Sequence, residues 1–199
     1  MAYSDFSFTK LKMKFGIDQE SVYLFKQPIT EVQPSSHLLD DLELGREMPL
    51  YSEKAKSELL IFPIIRELKR KNKNISIFSG YALNIEGYAD LSGVPDFIIS
   101  ANSNIVEPQN PIFCLMESKN KAPDEGFAQC AAEMYAARLF NQQMGESDVT
   151  IYGAVTNAFD WVFLKLEDNV IYVDINRYYL NELPKLLGIL QFIITSVQK

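Results

Sequence analysis

The stretch SGVPDFIISANSNIVEPQNPIFCLMESKN, residues Ser92 to Asn120, decides how the chain is read. It holds two apolar runs, Val94 to Ser100 and Ile112 to Lys119, separated by a polar loop from Ala101 to Pro111. Both runs have the length and the bounding residues of strands. Ile-Phe-Cys-Leu-Met is continuously apolar, as expected for a central strand covered on both faces. One acid, Asp96, opens the first strand, and another, Glu117, closes the second. If the two strands pair as neighbours, the carboxylates share one place, where they repel unless a cation lies between them. A hard divalent ion, magnesium or manganese, meets that need. It prefers oxygen ligands and keeps several waters, so Asp96, Glu117, the backbone carbonyl of Ser118 and a substrate phosphate make a suitable set. Lys119 follows Glu117 by two residues and so projects on the same side of the strand. Its ammonium then flanks the ion, where it orients an attacking water or stabilises a pentacoordinate phosphorane, while the metal lowers the pKa of that water.

Outward from this stretch, the periodicity switches between strand and helix. Upstream, Ile75, Ile77, Tyr81, Leu83 and Ile85 alternate with small or polar residues, which predicts a half-buried strand over 75–85 with a bulge at Gly80. Before it, Ser52 caps a helix whose Leu59, Leu60, Phe62, Ile64, Ile65 and Leu68 recur at helical spacing, and Pro63 predicts a kink there. Downstream, Pro123, Asp124 and Glu125 open a helix to about Asn141. Its alanines 128, 131, 132, 136 and 137 let it lie close against a sheet, with Tyr135 and Phe140 as core. Strand-like runs Val149 to Thr156, Trp161 to Leu166 and Val170 to Ile175 follow, then a helix from about Glu182 to Val197. Residues 1–50 mix short apolar groups with Pro28, Pro34 and Pro49, which predicts a short helix or two and irregular wrapping structure. The expected architecture is a single α/β domain over 1–199, with a central mixed sheet flanked by helices. Its parts are an N-terminal extension (1–50), an α-β-β-β-α-β-β core (52–175) and a C-terminal helix (181–198).

Composition narrows the function classes. With 199 residues, 47% of them hydrophobic, the chain can bury one substantial core. The first fifteen residues, MAYSDFSFTKLKMKF, hold no apolar targeting run, and the apolar stretch Leu186 to Ile194 is too short to span a bilayer, so the expectation is a soluble cytoplasmic protein with no membrane contact. Cys114 and Cys130 show no CxxC spacing and His37 is the only histidine, which argues against zinc. The same scarcity argues against Cys-His and Ser-His-Asp catalysis unless a loop recruits His37. A net charge of -7 argues against a protein that coats nucleic acid. Its distribution is uneven: residues 51–121 carry 9 basic and 8 acidic side chains, whereas 1–50 carry 5 and 8, and 122–199 carry 5 and 10. The run Arg66, Lys69, Arg70, Lys71 and Lys73 either meets phosphates or is the solvated end of a helix.

Pro95, Asp96, Glu117, Ser118 and Lys119 together resemble the motif of the PD-(D/E)XK nucleases, over roughly residues 52–175. Glu67, Leu68 and Lys69 repeat the E-x-K letters, but inside a basic helix rather than at the end of an apolar strand. The resemblance implies a restriction-endonuclease-like fold, Asp96 and Glu117 as metal ligands, and Lys119 beside the water. It also implies an auxiliary acid on the preceding helix, matched by Glu58 with Glu53 as a weaker substitute, and a glutamine on the following helix, matched by Gln129. Plain readings stand beside these: Glu58 as a solvated helix residue, Gln129 as a surface or helix-packing amide, and Lys121 as an exposed strand-end lysine. The leading expectation is a magnesium-dependent nuclease acting on DNA or RNA, with nucleic-acid affinity weakened by the acidic total. The alternatives are a non-catalytic module of the same fold that binds a protein partner or serves as a subunit, and a metal-dependent phosphatase acting on a small nucleotide. The aromatic residues leave room for a homodimer.

Overall fold

The computed structural model describes residues 2–103, 105–146 and 148–197. Helix α1 (Phe8–Phe15) is capped by Ser7, whose side chain accepts from the Lys10 amide, and ends at Gly16 in the left-handed region. Strand β1 (Asp18–Val22) follows. An extended segment then leads to α2 (Ser36–Glu47), capped by Ser35. Ser52 caps α3 (Glu53–Lys56), as its sequence position suggests. A π-helical turn, Ser57–Ile61, joins it to α4 (Phe62–Lys71). The kink expected at Pro63 takes this form: the π turn adds a residue, so the proline falls in the first turn of α4, where a missing N–H costs least.

Strand β2 (Ser76–Ser79) is shorter than the alternation over 75–85 predicts. Gly80 adopts a positive φ of 63° and turns the chain, so Leu83–Asn84 becomes β3 and pairs with β4 (Ser92–Gly93) in a separate two-stranded sheet. Next come β5 (Phe97–Ser100), β6 (Ile112–Ser118), α5 (Phe127–Gln143), β7 (Ile151–Thr156), β8 (Asp160–Glu167), β9 (Val170–Asp174) and β10 (Tyr178–Tyr179). Helix α6 (Leu183–Val197) closes the described chain, and residue 198 of the expected C-terminal helix lies outside the described residues.

The main sheet runs β1-β9-β8-β7-β6-β5-β2, with β10 paired to β8. β6 and β7 are parallel, as are β1 and β9, and the other pairs are antiparallel, so the sheet is mixed. The fold is α/β, with helices on both faces. Side-chain alternation divides the core: Cys114, Met116, Ala154 and Phe163 face α4 and α6, whereas Leu115, Val155, Val162 and Leu164 face α5. Residues 1–50 do more than wrap. β1 extends the sheet at one edge, parallel to β9, although its DQES residues are exposed and carry no apolar period by which a strand is recognised. Leu180–Val197 is apolar enough by composition to cross a membrane, but Leu186, Leu187, Ile189, Leu190, Ile193 and Ile194 are buried in the core against the sheet and α4.

Helix α5 lies close to the sheet where β7 carries Gly153. A Cβ there would stand 2.6 Å from Met134 Sδ and 2.7 Å from Cys130 Sγ. Gly153→Ala is therefore expected to destabilise the fold by about 1–3 kcal/mol, through overpacking. A urea-unfolding midpoint unchanged from wild type would mean that the helix does not pack this tightly.

Candidate active site

β5 and β6 pair antiparallel with Phe97 opposite Met116, and the same register carried one step further sets Asp96 opposite Glu117. Alternation turns both acids toward α5. Asp96 is fixed by Ser118, whose backbone N–H (2.7 Å) and hydroxyl (2.5 Å) both donate to Oδ2. Its other oxygen has no protein donor among the described residues. The Lys119 amide donates to the Thr156 carbonyl at 2.8 Å, which carries the β6–β7 ladder past the strand end and holds the lysine backbone. Lys119 Nζ then reaches back to Glu117 Oε1 at 2.6 Å and to Gln129 Oε1 at 3.1 Å. The stem of Lys119 passes over Gly126, where a Cβ would stand 2.9 Å from its Cε.

Helix α5 adds a residue that the sequence reading passed over. Gln129 Nε2 donates to Glu117 Oε1 (2.5 Å) and to Glu133 Oε1 (3.1 Å), so the amide bridges two carboxyl groups. Glu133 is fully buried, and Oε2 of both Glu117 and Glu133 is buried with no hydrogen-bond donor. Burial and the neighbouring Glu117 charge push the Glu133 pKa well above the ordinary carboxyl range. Glu133 is thereby biased toward its protonated form, in which it can donate to Glu117. Burial and the charge of Asp96 push Glu117 itself up to about 7, against the pull of Lys119. Burial opposes the charge on Lys119, but Glu117, with Glu53 and Asp96 behind it, outweighs burial and raises the lysine pKa.

No protein-family model matches the chain, and no curated protein matches it.

Asp96, Glu117, Ser118, Lys119 and Gln129 thus come together at one end of the sheet. Glu58 does not join them: its side chain is 65% exposed and lies 3.9 Å from Lys54. Glu53, half-buried at the start of α3, is the acid of that helix whose charge Lys119 feels. Lys56 ties α3 to the loop beyond Lys119 by donating to the Asn120 carbonyl at 2.6 Å. Glu67, from the second E-x-K, is also buried, but it serves structure: it accepts from the Ser35 amide and hydroxyl at 3.1 and 2.9 Å and pairs with Lys71 at 3.3 Å. Lys121 is exposed, and Tyr135 packs against Phe15 at 4.8 Å. Among the described residues, no group of three or more His, Cys, Asp or Glu side chains is arranged to hold a metal ion. What the cluster offers is two adjacent carboxylates, a carbonyl at Ser118, a half-buried amine and a buried carboxyl whose pKa is raised. Glu133 had a signal in the sequence, an acid four residues after Gln129 inside an alanine-rich, sheet-facing helix, where charges are seldom buried without a partner.

Proposed function

We propose that the chain is a magnesium-dependent nuclease of the PD-(D/E)XK type, with Asp96 and Glu117 as metal ligands and Lys119 as the catalytic amine. The observation that carries this reading is the convergence of the three groups at neighbouring strand ends, with Lys119 Nζ 2.6 Å from Glu117. The donors suit a hard cation: one oxygen of Asp96 has no protein donor among the described residues, Glu117 Oε2 is buried without one, and the carbonyl of Ser118 lies between Glu117 and Lys119 in the chain. Bound magnesium supplies charge for the phosphate and lowers the pKa of a coordinated water. Ser118 orients Asp96. Gln129 and protonated Glu133 hold Glu117. Lys119 holds the attacking water or a non-bridging phosphate oxygen as the water oxygen bonds to phosphorus and the bond to the leaving oxygen breaks. Glu53 is the acid of the preceding helix best placed to assist. The test is incubation of purified protein with single- and double-stranded DNA and RNA and Mg²⁺ or Mn²⁺. Cleavage lost in Lys119→Ala supports the reading, and substrates left intact by both proteins remove it.

Gly126 supplies a separate check on position. Gly126→Ala crowds the Lys119 stem and Val155 Cγ1, so it is expected to lower cleavage about tenfold through misplacement of the amine. Wild-type rates for this variant would show that the lysine needs no fixed course.

A second reading, a non-catalytic module of this fold that binds a protein partner, is favoured by a pocket of about 430 Å³ between the extended N-terminal segment and α6, lined by Leu24, Phe25, Ile29, Val32 and Phe192. The net charge of -7 agrees with it. Calorimetry with Mg²⁺ separates the two, since heat that disappears in Asp96→Asn belongs to the first.

A further inference from the structure

Phe62, Arg66 and Lys69 recur at i, i+4 and i+7 along α4 and so share one face of it. That face walls a pocket of about 430 Å³ whose other side is strand β2, with Ile77, Phe78 and Ile105 completing it. β2 is the last strand of the sheet, so one edge of it is open. Ser79 pairs with Phe97 and Ser76 with Ser100, and Phe97 directly follows Asp96. The pocket is therefore a trough along the sheet edge that begins at Phe97, the chain neighbour of Asp96, on the α4 face of the sheet, opposite the face toward which Asp96 and Glu117 turn. Phe62 stands at the near end, stacked on Phe97 with 6.2 Å between centroids and 13° between planes, and 40% of it remains exposed. Lys69 stands at the far end. Its ammonium donates to the carbonyls of Lys73 (3.0 Å) and Ile75 (2.5 Å), and no carboxylate pairs with it among the described residues, so its charge is not neutralised. Arg66, between them, is ion-paired with Asp41. Four of the five residues of the basic run are thereby sorted: Arg70 and Lys71 turn to Glu67, and Arg66 and Lys69 line the trough.

We propose that this trough binds single-stranded nucleic acid, with a base stacked on Phe62 and the backbone phosphates led past Arg66 to Lys69. The proposal rests on the nuclease reading of the neighbouring site and names its substrate class. A base reaches the open face of Phe62 only when it is released from a duplex stack. An open strand edge also suits an extended peptide, but two cations and an aromatic face favour phosphate and base.

The test is fluorescence anisotropy of the full chain with a fluorescein-labelled oligothymidine of about 12 nucleotides and a duplex of equal length, in EDTA so that cleavage plays no part. The single strand is expected to bind about tenfold more tightly than the duplex, and Phe62→Ala to weaken it about tenfold. Lys69→Gln is expected to weaken binding and to reduce the salt dependence by about one phosphate contact. Asp41→Asn, which releases Arg66, is expected to tighten binding, an effect opposite to that of structural damage. Equal affinity for both probes, or Phe62→Ala and Asp41→Asn variants that bind as wild type does, overturns the proposal, as does preference for an extended peptide over the oligonucleotide. Oligothymidine bound with these dependences yet left uncut in Mg²⁺ supports the trough and defeats the nuclease reading. Cleavage of single strands with a KM indifferent to Phe62→Ala defeats the trough alone.

Discussion

Lys119→Ala is expected to reduce phosphodiester cleavage by about 10²–10³-fold, the loss typical of removing one preorganised donor from a developing oxyanion. The side chain is 15% exposed, its backbone is held by Thr156, and its ammonium is held by Glu117 and Gln129, so little freedom is lost as the reaction proceeds. The fall should be in kcat, because the interaction strengthens as charge develops on the phosphoryl group, while KM changes little. The variant has a second signature. Lys119 is what draws the Glu117 pKa down, so without it Glu117 keeps its proton to a higher pH and any residual metal-dependent activity begins at more alkaline pH. A Lys119→Ala protein that cleaves at the wild-type rate would assign the activity to another group or to a contaminant.

The second large effect is on metal affinity. With Glu117 raised to about 7 by burial and by Asp96, a divalent ion must displace a proton below that pH and need not above it. Mg²⁺ or Mn²⁺ affinity is expected to be nearly flat above pH 7 and to fall by up to tenfold per unit below it, about a hundredfold between pH 8 and pH 5. Calorimetry in two buffers of different ionisation enthalpy counts the released proton directly, and an affinity independent of pH over that range would refute the site. The metal-free protein obeys the same linkage with a definite sign. The folded-state pKa values of Glu117 and Glu133 lie above their unfolded values, so the folded state binds more protons between the ordinary carboxyl range and about 7. Stability is therefore lost as pH rises through that window. Glu133→Gln keeps a hydrogen-bond donor for Glu117 without a titrating proton, and is expected to leave the midpoint of metal affinity near 7, since burial and Asp96, which raise Glu117, are unchanged.

How much of this was legible depends on how local each signal is. Ile112–Met116 and Phe97–Ile99 are continuously apolar, within strands buried along their whole length, so the strands that carry Glu117 near one end and follow directly on Asp96 could be read from period and composition alone. The helix after them was also legible, from Pro123 onward, because proline, acids and alanines each act within a turn or two. Glu58 shows the limit of spacing arguments: on α3 and the π turn that follows, the acid nearest Lys119 is decided by where the helix docks through Lys56, and that favours Glu53. β1 escaped notice because an edge strand exposed along most of its length needs no apolar alternation, and its partner β9 lies some 150 residues away in the chain.

By itself the sequence determined the α/β class and the strand ends at which two acids and a lysine stand. Those properties follow from backbone period and side-chain type, which act over a few residues. Only the tertiary structure decided that Asp96 faces Glu117 across two antiparallel strands, that α5 crosses from β6 to β7 and so lays Gln129 and Glu133 over Glu117, and that α4 turns Phe62 and Lys69 to the open edge of the sheet. Such neighbours are chosen by packing between segments far apart in the chain, and the raised pKa of Glu117 exists only because packing has taken water away from it.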